Sequence, residues 1–416
     1  MGQNDLIKYD DGLIKHVSNA ISVTNKLLAK TEPQLIPYRK KDKWGYCTED
    51  KKIVIDCIYD EAECFEKGLA KIKLNGKFGI INKKGKEVIP IIYDKVYPYL
   101  NEDIIRIERF KKNALFTKSG EQISDFIFDS VNPFREGLSG VLQNGKLGFI
   151  NQKVEIVIPC IYDWRISVFK NGCARVILNE KIGFINQIGE VVIPLVYDDS
   201  AIFFYEGLIS IKKGDKWGFL NKKADMIIPF QFDSTGNFSE GLAHVKLNKN
   251  EYRYINSKGE FMFPNTFETV SDYSNGLAFV ETNNKWGAIN RKGDLIIPCI
   301  YDHAKEWYEQ DFEELNFSEG LTGLKLFDKC GFIDLCGQNP IPFIYDDIHS
   351  FSNGFASVRN KSKWGVIDKS GKLIVPFRYD FISKFNSMGL ATVRKNENKG
   401  EILGYINREG IEYWED

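Results

Sequence analysis

The chain has 416 residues, 43% hydrophobic and 13% aromatic, with 56 Lys and Arg against 57 Asp and Glu and a formal net charge of −1. That balance excludes a global field favouring nucleic acid or an anionic membrane surface. No apolar run reaches the roughly 18 residues that a spanning helix needs.

The first predicted element is a helix over residues 10–29. Leu13, Val17, Ala20, Thr24, Leu27 and Leu28 fall near one face at helical spacing, widened by Ile14, Ile21 and Val23, with Asp10 or Asp11 available as a cap. Residues 1–32 are therefore expected to form an amphipathic segment. It either covers the end of the array that follows or docks and self-associates through a stripe containing Leu13, Val17 and Ile21. Met1–Asp5 lacks a basic region followed by an apolar stretch, so the expectation is a cytoplasmic protein without an export signal.

Pro33 and Pro37 separate this segment from Trp44-Gly45, the first of a series. The same glycine recurs at Gly79, Gly148, Gly183, Gly218, Gly287, Gly331, Gly365 and Gly404, mostly at steps of 34 or 35 residues, so about eleven copies fit residues 33–416. Such a period marks a repeat array in which no unit buries its own apolar face alone. In the unit Gly68–Asp94, Asn75-Gly76 lies between two apolar-rich runs and accepts the positive φ of a type I′ hairpin turn. A second turn at Asn82–Gly85 makes a three-stranded meander. A two-residue loop sets Ile72 opposite Gly79, Val141 opposite Gly148, Val176 opposite Gly183 and Ile211 opposite Gly218. Val280, Leu324 and Val358 likewise face Gly287, Gly331 and Gly365, as expected if another layer packs closely there. The aromatic position faces Lys212, Glu281 or Arg359, whose stems are expected to cover it in part. The third strand ends in Ile-Pro, an edge signal, and three residues later a Tyr-Asp pair anchors a turn whose Asp accepts from backbone amides.

Near 114 and 253 the copies have lost Trp-Gly but keep their spacing, which reads as degeneracy rather than a domain boundary. Cys57, Cys160 and Cys299 precede Ile-Tyr-Asp, and Cys47, Cys173 and Cys330 also stand at apolar positions of the repeat. Six of the eight cysteines thus read as small hydrophobes in a reducing compartment.

The one long insertion runs over 303–316, carrying Trp307, Tyr308 and Phe312 among acidic residues. Insertions in arrays map to loops on one face, often the binding face, so these three side chains are candidate partner-binding residues; the alternative is a loop folded back on the array. Lys395 to Lys399 lengthen a later hairpin, read as a solvated loop.

The four histidines sit in different copies, and neither a phosphate-binding loop nor a nucleophile elbow occurs. The recurrent turn aspartates are structural, so no enzyme, no cofactor and no metal are expected.

Lys43-Trp44-Gly45, Asp215–Phe219, Lys285-Trp286-Gly287, Ile227-Ile228-Pro229 and Phe238–Ala243 together resemble the WG-repeat family over about residues 35–410. The resemblance implies β-rich interaction modules, widespread in bacteria, with no assigned activity. The expected fold is all-β, an open solenoid or superhelix of stacked three-stranded meanders, with a closed propeller-like toroid as the alternative. The expected function is a non-catalytic protein-binding scaffold without nucleic-acid or membrane partners; the alternative is a carbohydrate or cell-envelope binder stacking sugars on repeated aromatics.

Overall fold

The computed structural model describes residues 33–415 except 99–102, 164, 166, 250, 303–315 and 398–399. Among them there is no helix, and the strands form eleven small sheets. We call these blades 1–11 in chain order. The segment predicted as a helix over 10–29 lies outside the described residues.

Blade 2 shows the plan. A short first strand (Glu61–Ala62) is followed by Leu69–Leu74, Lys77–Asn82 and Glu87–Tyr93, paired in that order. Its register is the expected one, Ile72 opposite Gly79 and Lys73 opposite Phe78. The equivalent Val141, Val176, Ile211, Val280, Leu324 and Val358 pairings also form. Asn75 and Gly76 take φ of 51° and 77°, as a type I′ turn requires. What the three-strand reading lacked is the first strand. It is only two or three residues long and follows the preceding Tyr-Asp pair directly.

The repeated glycine is required by its own sheet rather than by a second layer. Phe78 pairs with Tyr93 and Ile80 with Ile89, so the third long strand bulges across Gly79. A Cβ there would lie 2.7 Å from the Ile89 carbonyl oxygen, and one at Gly218 would lie 2.6 Å from that of Ile228. Blades 3 and 7 carry Ala114 and Arg253 at this position, and both lack the long third strand, keeping only isolated bridges such as Phe116 to Gln122 and Ile255 to Phe261. The Arg253 guanidinium instead lies 3.8 Å from the Phe261 ring centre.

Successive blades stack face to face. Ile80, Ile89 and Tyr93 of blade 2 pack on Val96, Ile105 and Ile107 of blade 3, and the same apolar layer recurs between the other blades. Trp44 and Trp364 are buried, against the expectation of partial cover, while Trp217 and Trp286 are half-buried. Each Tyr-Asp aspartate pins two blades. Asp94 accepts from the Lys77 ammonium at 2.6 Å and from the Phe110 amide of blade 3 at 2.8 Å. Nine such Asp–Lys pairs occur among the described residues.

The array is closed, which corrects the open solenoid and matches the toroid. Trp414–Glu415 pairs in parallel with Arg39–Lys40 of blade 1, and the Arg39 side chain donates to the Leu403 carbonyl at 2.8 Å. Ile36, Tyr38 and Cys47 of blade 1 share one core with Leu390 and Tyr413 of blade 11. The result is an eleven-bladed, propeller-like ring. Repeat spacing is the same for a ring and a superhelix because the repeated contacts join each blade to the next one in the chain. The lengthened hairpin at Lys395 is also corrected: its strands, Leu390–Glu397 and Gly400–Asn407, continue their ladder to Glu397 and Gly400.

Candidate functional site

Except in blade 3, each first strand among the described residues leads into a loop that ends at a buried aromatic residue and a Gly-Leu or similar pair. The base of this loop is rigid. Phe65, Phe169, Phe204, Phe238 and Phe351 are buried and meet aromatic rings of the preceding blade at centroid distances of 4.6, 4.9, 5.4, 4.9 and 4.8 Å. A glutamate beside the aromatic reaches the corresponding glycine amide of the next blade. Glu136 meets Gly172 at 2.8 Å, Glu206 meets Gly241 at 2.9 Å and Glu240 meets Gly276 at 3.0 Å. Between first strand and aromatic the residues differ from copy to copy, so a constant frame holds variable tips.

Two clefts open between these tips. The larger, about 470 Å³, is lined by Glu63, Cys64, Leu69 and Lys71 of blade 2, Val96, Tyr97 and Pro98 of blade 3, and Asn386, Leu390 and Tyr405 of blade 11. Its volume falls in the range of ligand pockets, about 300–1,000 Å³. Lys71 forms an ion pair with Glu63. Burial pushes the Cys64 thiol up to about 11, so this sulfur is a poor nucleophile. The Asn386 amide donates to it at 3.6 Å. The second cleft, about 320 Å³, lies between blades 6 and 7 and presents Phe203, Tyr205 and Trp217 beside Ser210, Thr235 and Asn237. The Lys170 ammonium lies 4.8 Å from the Phe203 ring centre and 5.2 Å from that of Tyr205.

No histidine lines either cleft. His349 is buried against Trp364, with ring centres 4.6 Å apart, and His244 meets Asp272 across blades 7 and 8 at 3.3 Å. Among the described residues no three His, Cys, Asp or Glu side chains gather as a metal would require. The eight cysteines are unpaired; Cys47, Cys173 and Cys330 are buried, Cys57, Cys64, Cys160 and Cys299 partly so, and Cys336 is exposed.

Of the residues singled out in the sequence, Trp307, Tyr308, Phe312, Leu13, Val17 and Ile21 lie outside the described residues. The insertion's flanks are described. Asp302 is tied to Lys285 at 2.7 Å, and Phe317 stacks on Phe279 at 5.4 Å. The insertion therefore occupies the first-strand loop of blade 9, the same class of loop that lines both clefts. Tyr97 and Phe203 went unnoticed in the sequence because they follow no repeat pattern, and Tyr205 and Asn386 because they replace the serine that follows the loop aromatic in other copies. Their departure from the pattern, inside an otherwise regular unit, was the available signal.

A model of the WG containing repeat matches ten consecutive segments: 44–78, 78–109, 115–146, 148–181, 182–217, 217–250, 252–286, 286–312, 331–364 and 364–398. No curated protein matches the chain. Among solved structures it is similar to a eukaryotic initiation factor, at 9% identity over 83% of this chain and 95% of that one with a TM-score of 0.46. It is also similar to BamB from Moraxella catarrhalis, at 11% identity over 75% and 95% with a TM-score of 0.31. Hsv2 of Kluyveromyces lactis matches at 9% identity over 65% and 94% with a TM-score of 0.33.

Proposed function

This chain belongs to the WG-containing repeat family, and we propose that it is a non-catalytic protein-binding scaffold whose recognition surface is the set of first-strand loops. One observation carries this reading. The repeat residues are consumed by strand pairing, blade stacking and Asp–Lys pins, whereas length and chemistry vary in these loops, most of all at the insertion 303–316. Trp307, Tyr308 and Phe312 are of the type that dominates protein interfaces. Eight unpaired cysteines support a reducing, cytoplasmic setting, and the near-zero net charge supports a protein partner over nucleic acid.

The test is capture of partners from native lysate by the whole chain, by a Trp307→Ala, Tyr308→Ala, Phe312→Ala variant, and by a chain lacking residues 1–30. A partner lost only with the triple variant, at unchanged thermal stability, supports recognition through the loops. A partner lost only on deletion of 1–30 moves recognition to the association segment, and a partner retained by both removes these two sites.

A carbohydrate reading rests on the second cleft, where Phe203, Tyr205 and Trp217 stand beside Ser210, Thr235 and Asn237. Rings flanked by hydroxyl and amide groups suit a sugar face and its hydroxyls. Glycan-array binding abolished by Tyr205→Ala would favour it.

A further inference from the structure

Blades 2 to 11 are each entered through a first-strand loop that follows a Tyr-Asp or Phe-Asp pair, or Phe267-Glu268 in the case of blade 8. Among the described residues blade 1 is the exception. Its described chain starts at Pro33, one residue before Gln34, which aligns with Gly68 of blade 2. Thr24-Asn25-Lys26 stand where the repeat would place Tyr-Asp. The first-strand edge of blade 1 is taken instead by Trp414–Glu415. The larger cleft is found at this place, between the loops of blades 11 and 2 where an eleventh loop would sit.

The chain leads into that place. Leu35 is buried at the joint of blades 1 and 2, and the Gln34 side chain reaches the Met388 carbonyl of blade 11 at 3.4 Å. The cleft offers apolar contact through Leu69 and Pro98 over a floor of the buried Val96 and Leu390. It also offers the rings of Tyr97, one face of which the Arg106 guanidinium covers at 3.7 Å, and Tyr405. Upstream of Pro33 the sequence carries Leu27 and Leu28, six and five residues away, in a stretch whose apolar residues recur at helical spacing. At up to about 3.5 Å per extended residue, or 1.5 Å per helical one, both are within roughly 20 Å of Pro33.

We propose that residues 12–32 dock in cis into the cleft between blades 11, 2 and 3 and stand in for the first-strand loop that blade 1 lacks. The same chain then covers the joint at which blade 1 is held to blade 11 by non-covalent contacts alone. This rests on the ring's missing loop and not on the scaffold reading, and it holds whichever partner the other loops bind.

Amide hydrogen exchange tests it on three proteins: the whole chain, a chain beginning at residue 33, and the whole chain with Leu27→Asp and Leu28→Asp. Peptides covering 63–71 and 383–392 are expected to exchange about tenfold faster in both variants than in the whole chain. Peptides covering 173–186, in blade 5, are expected to be unchanged. Equal exchange of 63–71 and 383–392 in all three proteins overturns the proposal. Protection in the whole chain that fades on dilution also overturns it, because the cleft would then be covered by a second copy. If the shortened chain unfolds as a whole, so that 173–186 also exchanges fast, the double-aspartate variant decides alone.

Discussion

The joint between blades 5 and 6 and the joint between blades 11 and 1 do the same mechanical task by different means. At the first, the chain itself crosses: Tyr197 packs in the shared core, and Asp198 accepts from the Lys181 ammonium and the Gly214 amide, both at 2.6 Å. At the second the strand that crosses, Trp414–Glu415, runs on from blade 11 and is held to blade 1 by non-covalent contacts alone. Closure rests on two residue pairs of parallel strand, on the buried Tyr413, and on Trp44 meeting Tyr405 edge-on at 5.8 Å. A joint held by the chain loses stability when its packing is cut. A joint held only by packing loses the ring.

The largest expected effect separates these two cases. Tyr413→Ala and Tyr197→Ala each remove a buried aromatic ring, a loss of about 3–5 kcal/mol for such truncations. Tyr197→Ala should lower the Tm and leave the radius of gyration unchanged. Tyr413→Ala should open the ring and raise the radius of gyration in small-angle scattering. Equal radii for both variants would break the comparison.

The glycines of the two joints give the next contrast. Gly218→Ala sets a methyl group 2.6 Å from the Ile228 carbonyl, in backbone tied into the sheet. Overpacking of this kind costs about 1–3 kcal/mol, and the third strand of blade 6 should detach as it has in blades 3 and 7. Gly404→Ala sets the methyl group into the Trp414 ring, so its strain should appear as fraying of the seam. Exchange at the Lys41 amide, which donates to the Glu415 carbonyl at 2.8 Å, reports this directly. Smaller again is Asn144→Ala, at a φ of 52°. A left-handed alanine costs about 1 kcal/mol, read as a lower denaturant midpoint without a change in m.

How much of this was legible in the sequence follows from what repeats. Register was readable because Asn75-Gly76 fixes the turn and every later residue follows by alternation. The first strands were not, since Glu61–Ala62 is too short to show a period. Closure was invisible, because a ring and a superhelix of these blades share every local contact except those that blades 1 and 2 make with blade 11 and Trp414–Glu415. Loss of glycine at Ala114 and Arg253 was visible, but its consequence needed the bulge geometry that places a carbonyl on that position. At the candidate site, the insertion stood out by length. Its kinship with the loops at Tyr97, Phe203 and Asn386 did not, because those tips have no common residue to align.

The smallest expected effect per residue is also the one that adds up around the ring. The Lys partner holds Asp60, Asp94, Asp129, Asp163, Asp198 and Asp346 below the usual carboxylate range, helped by backbone amides. A folded value below the unfolded one means that the unfolded chain binds more protons. This stability is therefore complete above about pH 4, the unfolded carboxylate value, and is lost as pH falls through the depressed values. Each pair is surface-exposed and modest alone, but the pins recur at successive chain-crossed joints. The seam has one ion pair, the exposed Lys40–Glu415 at 3.3 Å, and depends chiefly on strand pairing and rings. Acidification from pH 7 to 3 should therefore lower the Tm while Trp44 keeps its contact with Tyr405, and Asp198→Asn should flatten that dependence slightly. A Trp44 environment that changes before the Tm does would mean that the seam, not the pinned joints, is where acid first acts.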